Sequence, residues 1–86
     1  MFDITFSKQA MKFVKKQDKN TQKRLRSAIL EIQEKPYTTS NTKALKNKDL
    51  ARKRVRNIRI VYKVFDDELY IYVVRIDNRG QEYKNI

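Results

Sequence analysis

The amino-acid sequence predicts an α+β fold with the element order β-α-α-β-β-β. Three observations carry this prediction: an alternating segment at the N-terminus, two helical segments before the single proline, and three β-rich segments in the second half. Helices with an apolar stripe need an apolar surface to cover, and one face of a sheet provides it. We therefore expect a two-helix hairpin packed on one face of a mostly antiparallel four-stranded sheet.

The N-terminal segment predicts a strand followed by a short helix. Phe2, Ile4 and Phe6 alternate with polar residues, which is typical of a half-buried strand. Ser7 is a favourable N-cap residue, and the apolar residues after it recur at helical spacing. We expect the first helix to run from Ser7 to about Gln17.

A second helix is predicted between Asp18 and Pro36. Asp18 is another favourable N-cap residue, and the apolar residues after it recur at i, i+3, i+4 and i+7, on one face of a helix. Pro36 disfavours helical geometry in the residue before it, so this helix should end at Lys35. Residues 37–42 are polar and turn-prone and predict a loop.

The second half of the chain predicts three strands joined by tight turns. It is rich in valine, isoleucine and tyrosine, which favour strands. The strands are expected at residues 51–56, 58–65 and 69–76, and a turn at residues 77–80 ends the last one. That last strand is almost continuously apolar, which is typical of a central strand. The predicted core comprises Ile4, Phe6, Phe13, Leu25, Ile29, Ile32, Val61, Ile71 and Val73.

Length and composition restrict the function classes. With 86 residues the chain can build one modest core, and we expect a single domain, 1–86. The net charge of +11 and the isoelectric point near 10.1 predict a polyanionic partner. The chain has no His and no Cys, so imidazole catalysis, disulfides and thiolate metal sites are excluded, and we expect neither a metal nor a cofactor. No signal sequence or long apolar segment is present, which predicts a cytoplasmic protein without membrane contact.

The strand at residues 51–56 is predicted to have one cationic face. Side chains alternate along a strand, so Arg52, Arg54 and Arg56 share one side. Such a face points to solvent or to an anion. Lys53 falls on the opposite side, where an apolar residue would pack, unless its aliphatic stem packs there and its amino group reaches water.

The element order and the segment LARKRVRNIRIVYKVFDDELYIYVVRIDNRGQEY resemble the RelE/ParE superfamily of bacterial toxins from toxin–antitoxin pairs, and the RelE-type members in particular. FSKQA at the first strand–helix junction and KALK before the arginine strand extend the resemblance over nearly the whole chain. RelE-type members are ribosome-dependent endoribonucleases that cleave messenger RNA in the A site, whereas ParE-type members inhibit DNA gyrase. The resemblance implies an acidic cognate antitoxin, the ribosome and messenger RNA as partners, and operator DNA only through the antitoxin complex.

The resemblance also implies a set of site residues. RelE itself has lysines at the places of Arg52 and Arg54, and many relatives have His where this chain has Asn78. Arginine stays protonated at neutral pH and is a poor base, so the identity of the proton acceptor stays open; any of four lysines could supply it if desolvated among other cations. The catalytic residues implied are Arg52, Arg54, Arg59, Arg79 and Tyr83; the predicted RNA-binding residues are Lys43, Lys46, Lys48, Arg56 and Lys84, of which the four lysines are the candidate bases.

Simpler interpretations stay open beside these assignments. The arginine face is a solvated surface in one of them, and Arg59 forms a structural ion pair with Asp77 or Glu82 in another. The tyrosines of the strands, at positions 62, 70 and 72, are expected to pack in the core or at an edge rather than to stack on bases. A non-nucleolytic gyrase inhibitor and a plain basic RNA-binding module are the alternative functions.

Overall fold

A computed structural model of the chain describes residues 1–36, 42–44 and 50–78, with the backbone alone at 42–44. The predicted β-α-α-β-β-β fold class is confirmed, with one additional short strand, β2. Residue 42 belongs to β2 rather than to the predicted loop, because three residues are too few to give a periodic pattern; residues 37–41 lie outside the described residues. The elements are β1 (Asp3–Phe6), α1 (Lys8–Lys15), α2 (Lys19–Glu34), β2 (Thr42–Ala44), β3 (Leu50–Val55), β4 (Ile58–Phe65) and β5 (Tyr70–Asn78).

The strands form one mixed sheet in the order β1-β5-β4-β3-β2. Strand β1 runs parallel to β5, and the other neighbouring pairs are antiparallel, as predicted. A parallel pair requires a crossover connection, and α1 and α2 supply it between β1 and the rest of the sheet. Both helices pack against strands, α1 on β5 and α2 on β3.

The predicted caps begin both helices. Ser7 Oγ accepts a hydrogen bond from the Ala10 amide at 3.1 Å, and Asp18 Oδ1 accepts one from the Thr21 amide at 2.8 Å. Each bond satisfies a donor that the first turn of a helix leaves without an intrahelical partner. Helix α2 ends one residue before Lys35, as the following proline requires.

Two glutamine side chains attach the helices to the sheet. Gln9 of α1 donates to the Ile76 carbonyl at 2.6 Å and accepts from the Ile76 amide at 2.9 Å. Strand β1 pairs with β5 only as far as Val73, so Gln9 replaces a neighbouring strand for the next part of β5. Gln33 of α2 donates to the Phe2 carbonyl at 2.9 Å and fixes the start of β1.

The core lies between the helices and the sheet. Of the predicted core residues, Leu25, Ile32, Ile71 and Val73 are fully buried in one cluster. Val61 is buried as predicted, at 8% exposure, but is not part of that cluster. The other predicted members are partly buried against it, and these are Ile4, Phe6, Phe13 and Ile29.

The boundaries of β5 differ from the prediction at both ends. Leu69 is not in the strand: it follows the 3-10 turn Asp66–Glu68 with a left-handed φ of 49° and is 59% exposed. The strand continues past Ile76, because Asp77 pairs with Arg59 and Asn78 with Ile58 of β4. The rest of the predicted turn at 77–80, Arg79 and Gly80, lies outside the described residues. In the part of the chain described, neither helix has the length and apolar character needed to cross a membrane.

Candidate functional site

The sheet face opposite the helices, here called the open face, carries arginines from three neighbouring strands. Residues directly opposite each other in neighbouring strands share a face, so the pairing places them in two rows. One row is Arg54, Arg59 and Asp77, and the other is Arg52, Val61 and Arg75. Four arginines and one carboxylate therefore form the centre of this face.

Strand β3 separates its side chains as its sequence predicts. Ala51 and Lys53 are buried under α2, whereas Arg52 is half-buried and Arg54 exposed on the open face. Arg56 does not share that face, contrary to the prediction, because the strand ends at Val55. Arg56 instead lies in the β3–β4 turn, exposed and with a left-handed φ of 56°.

A β-bulge in β5 brings two charged residues to the open face. Val61 pairs with Arg75 and Tyr62 with Val73, so Val74 has no partner in β4. The extra residue reverses the alternation after it, so that Ile76 is fully buried while Arg75 and Asp77 lie on the open face. Bulges frequently re-aim side chains beside functional sites, and this one completes the arginine rows.

Asp77 is the carboxylate around which two of the arginines gather. Arg59 donates through Nε to Oδ1 and through Nη2 to Oδ2, both at 3.1 Å, in a bidentate pair. Arg75 Nη2 lies 2.8 Å from the same Oδ2. The ion-pair interpretation of Arg59 is therefore realised with Asp77, and the guanidinium of this predicted catalytic residue is held in place by it.

Arg52 and Arg54 differ from Arg59 in their electrostatic environment. Within the described part of the chain, the salt bridges of the sheet join Lys53 to Glu31 and Arg59 and Arg75 to Asp77, and neither Arg52 nor Arg54 has a carboxylate partner there. Arg54 is exposed and Arg52 is half-buried, so both positive charges are accessible to an anion.

Lys53, whose place on the apolar side had no explanation in the sequence, pairs with the second helix. It is 2% exposed, and its Nζ lies 3.2 Å from Glu31 Oε2. The side chain of Glu31 is 52% exposed, so the carboxylate keeps part of its hydration while neutralising the buried ammonium.

Two of the three strand tyrosines, Tyr62 and Tyr70, pack against other parts of the fold, as predicted. Tyr62 is fully buried and donates to the Pro36 carbonyl at 2.6 Å. The ring of Tyr70 lies 5.5 Å from that of Phe65, and its hydroxyl hydrogen-bonds with Thr5 of β1. Lys63 Nζ sits 5.1 Å above the Phe65 ring, a cation–π contact beside the arginine rows.

The remaining predicted site residues are not all described. Lys43 lies in β2, where it is the pairing partner of Arg52. Arg75 was not predicted; its signal is a charged residue two positions before Asp77 in an apolar strand, which becomes informative once the bulge is known. Among the described residues, no group of three acidic side chains is placed to hold a metal ion. The residues outside the described ranges are Lys46, Lys48, Arg79, Tyr83 and Lys84.

An apolar concavity of about 530 Å³ lies on the side of α2 that faces α1 and β1. Ile4, Phe6 and Leu25 contribute to its lining, and Met11 and Leu30 at its margin are 48% and 49% exposed. Its apolar lining contrasts with the cationic open face, so the two surfaces differ in the chemistry they offer.

The fold and the open face together define a class of protein: a small basic α+β domain with arginines in cross-strand register on an uncovered sheet face. The sequence profile of the family described as "ParE toxin of type II toxin-antitoxin system, parDE" matches residues 4–83. The chain belongs to this family, and it is the toxin of a type II toxin–antitoxin pair within the RelE/ParE superfamily. Comparison with curated protein sequences gave no match.

Solved toxin structures share the fold. RelE in the RelE–RelB complex of Pyrococcus horikoshii gives a TM-score of 0.82 at 20% identity, over 93% of this chain and 97% of that one. Isolated Escherichia coli RelE gives 0.78 at 22% identity, over 99% and 94%. A chain of the Staphylococcus aureus YoeB–YefM complex gives 0.72 at 24% identity, over 87% and 93%. At these identities the likeness establishes the fold.

Proposed function

We propose that this toxin is a ribosome-dependent endoribonuclease that cleaves messenger RNA in the A site and thereby inhibits translation. The observation that carries the proposal is the pair of arginine rows on the open face. Arg54 stands directly opposite Arg59, and like charges in that arrangement destabilise a sheet. Asp77 offsets the charges of Arg59 and Arg75 only, which leaves a site suited to an external anion such as a phosphodiester.

The proposed reaction needs no metal. The ribose 2′-hydroxyl attacks the adjacent 3′-phosphate while a base removes its proton; the bond from phosphorus to the 5′-oxygen of the next nucleotide breaks, and that oxygen takes up a proton. Negative charge grows on the phosphoryl oxygens in the transition state. Arg52 and Arg54 are placed to donate hydrogen bonds to those oxygens, and Arg59 adds a positive charge that Asp77 holds in position.

The proposal also assigns roles to Arg79, Tyr83 and a lysine that serves as the base. Arg79 is assigned a further phosphate contact, and Tyr83 stacks on a base or orients the hydroxyl. The base is one of Lys43, Lys46, Lys48 and Lys84, whose pKa would fall in a desolvated, cationic setting. Positioning of the message by the ribosome supplies part of the acceleration.

The proposed partners follow from the same face. In the Pyrococcus horikoshii and Staphylococcus aureus structures the toxin is bound to its antitoxin. We propose that the antitoxin of this chain is acidic and covers the open face, since opposite charge speeds association and covers the site that binds RNA. We propose that the toxin contacts operator DNA only as part of the toxin–antitoxin complex. Because the proposed substrate is messenger RNA on the ribosome, the proposed activity is cytoplasmic. We also propose that residues 1–86 form one toxin domain.

Gyrase inhibition is a second candidate function, because the family profile that matches the chain is that of the ParE toxins. A gyrase inhibitor of this fold needs a protein-binding surface and no phosphate-cleaving site. The two candidates therefore differ in whether the open-face arginines are needed for cleavage of RNA.

The test is primer extension on messenger RNA in programmed ribosomes, run beside a gyrase supercoiling assay. The variants are Arg52→Ala/Arg54→Ala and Arg79→Ala, with Lys16→Ala/Arg26→Ala as the matched control that removes two exposed cations, one just after α1 and one in α2. We expect cuts confined to the A-site codon, reduced about 100-fold or more in the open-face variant and unchanged in the control. The control substitutions of the exposed Lys16 and Arg26 should change the free energy of unfolding by less than about 0.5 kcal/mol, and denaturation of every variant checks that it still folds.

Intact message together with inhibited supercoiling would replace the nuclease by the gyrase inhibitor. Cleavage that persists at the normal rate in Arg52→Ala/Arg54→Ala would remove these arginines from the active site. RNA binding with neither activity would reduce the protein to the plain RNA-binding module.

A further inference from the structure

A cationic pocket of about 390 Å³ lies between α2 and the tip of the β3–β4 hairpin, on the side of α2 away from the apolar concavity. Among the described residues, the pairing of β2 with β3 reaches Thr42 opposite Lys53, and the pocket is lined by Lys53 and the residues of β3 that follow it. A pocket of this volume is large enough for a hydrated phosphate group, since one water occupies about 30 Å³ of liquid. Its charged lining residues are Lys23, Arg24, Glu31, Lys53, Arg54 and Arg56.

The charge balance of the pocket is strongly positive. Glu31 is its one acidic lining residue, and that carboxylate is engaged by Lys53 at 3.2 Å. In the described part of the chain, no carboxylate forms a salt bridge with Lys23, Arg24, Arg54 or Arg56. The pocket is a shallow, open concavity, and the positive potential of these neighbouring side chains should attract an anion to it.

Arg56 adds a conformational argument. Its φ of 56° lies in the left-handed region, which an arginine occupies at a cost and which glycine or asparagine occupies more easily. A turn selected for stability alone would favour one of those two residues. The arginine there instead contributes a cation to the pocket.

We propose that this pocket binds a phosphate group of the RNA backbone and extends the RNA interface from the open face around the β3–β4 turn to α2. The proposal rests on the proposed function, because it takes RNA as the ligand. Lys23 and Arg24 become RNA-contacting residues that the arginine strand alone does not predict.

Continuity with the open face favours RNA over an acidic peptide. Arg54 belongs to the first arginine row and also lines the pocket, and Arg56 follows it at the turn. A polyanion with a charge on every nucleotide can satisfy both surfaces along one strand, whereas a folded acidic protein needs carboxylates placed to match each of them. Arginine also suits the oxygens of a phosphate through its parallel N–H donors.

The test is the salt dependence of binding to a labelled single-stranded RNA. The variants are Lys23→Ala/Arg24→Ala and Arg56→Asn; the control is Lys16→Ala/Arg26→Ala, which removes two positive charges from outside the pocket, as many as the double variant removes from its lining. We expect the slope of log K against log salt to decrease in magnitude by about 0.7 in each pocket variant, the value for one phosphate contact on a single strand, and to be unchanged in the control. Arg56→Asn should bind more weakly while its Tm stays equal or rises, which separates binding from folding.

Equal slopes in the pocket variants and the wild type would overturn the proposal, as would the same decrease in the control. A decrease confined to binding of duplex DNA would assign the pocket to DNA, and weaker binding only to the acidic antitoxin would assign it to protein; both results overturn the RNA assignment. A pocket-specific decrease in a protein that makes no A-site cuts would support the phosphate pocket and refute the nuclease. The two proposals can therefore fail separately.

Discussion

The two faces of the sheet each carry an ion pair, and the two pairs are built in opposite ways. On the helix side the cation is the buried partner: the side chain of Lys53 is 3% exposed, and that of Glu31 is 52% exposed. On the open face the carboxylate is the more buried member, since Asp77 is 16% exposed and is shared by Arg59, at 20%, and Arg75, at 56%. One pair neutralises a charge under a helix, whereas the other holds two cations at a surface.

The charges on the two faces of the sheet therefore have different roles. Leaving an ammonium without a partner in an apolar environment is expensive, so Glu31 should stabilise the folded state by neutralising Lys53. The Asp77 cluster leaves excess positive charge at the surface, which raises the energy of the isolated protein and suits an anionic partner. Substitutions on the helix side should therefore mainly change the stability of the fold, whereas substitutions on the open face should mainly change the binding of an anionic partner.

The largest effect on folding is expected from an alanine substitution in β4, where the adjacent residues Ile60 and Val61 point to opposite faces of the sheet. Ile60 points to the helix side and is fully buried in the core, at 0% exposure. Val61 lies on the open face and is 8% exposed. Ile60→Ala should lower the free energy of unfolding by about 2 to 5 kcal/mol, because it leaves a cavity in the packed cluster. Val61→Ala should cost clearly less, since the stems of neighbouring arginines can collapse over the gap. Chemical denaturation of both variants measures this, and equal losses would contradict the assignment of faces.

The next effect concerns the buried lysine. Glu31→Gln removes the charge that neutralises Lys53 and should destabilise the protein by about 1 to 3 kcal/mol. Lys53→Met in the same assay is the matched comparison: it removes the buried charge with little change in volume, so it should cost less than Glu31→Gln, which leaves the ammonium buried beside a neutral side chain. A larger loss in Lys53→Met than in Glu31→Gln would show that the buried ammonium contributes more to stability than its burial costs.

Substitution of the open-face carboxylate should affect binding more than folding. Asp77→Asn keeps an acceptor for one arginine but removes the negative charge, so we expect a loss of about 1 kcal/mol in stability. It should also tighten binding of single-stranded RNA and make the salt slope steeper, since the net charge of the face rises. Weaker RNA binding with unchanged stability would contradict this prediction and show that the orientation of Arg59 by Asp77 matters more for binding than the charge that the carboxylate offsets.

The sequence was informative where the backbone is regular. Alternation along β3 separates Arg52 and Arg54 from Lys53, and β3 keeps that alternation to its end. Strand β5 gave no such guidance, because its apolar run hides the bulge at Val74 that turns Arg75 and Asp77 to the open face. A bulge depends on the pairing of two strands and leaves no period in either of them.

The partners of charged residues across elements were also beyond sequence patterns. An amphipathic helix predicts that α2 covers the sheet, but the rotation and position at which it packs decide that Glu31 meets Lys53. The same packing decides that Lys23 and Arg24 border a pocket at the hairpin tip. Interactions between elements of this kind depend on three-dimensional packing, whereas helix caps are local and were predicted from Ser7 and Asp18.

The smallest effect tests the cap that begins α2, the helix that covers Lys53. Hydrogen bonds from the Thr21 side chain and then from its backbone lower the pKa of Asp18 below its ordinary value of 3.8, and Arg24 adds a weaker charge effect. Because the pKa of Asp18 is lower in the folded state, its ionised carboxylate stabilises the protein at pH values above 3.8, the pKa of the unfolded state. This stabilisation is lost as the pH falls from 3.8 through the folded-state pKa. Asp18→Asn keeps a good N-cap without the titrating group, so its Tm should be slightly lower at neutral pH and should converge on that of the wild type in acid. A constant difference in Tm across that range would show that the cap acts through geometry alone and not through its charge.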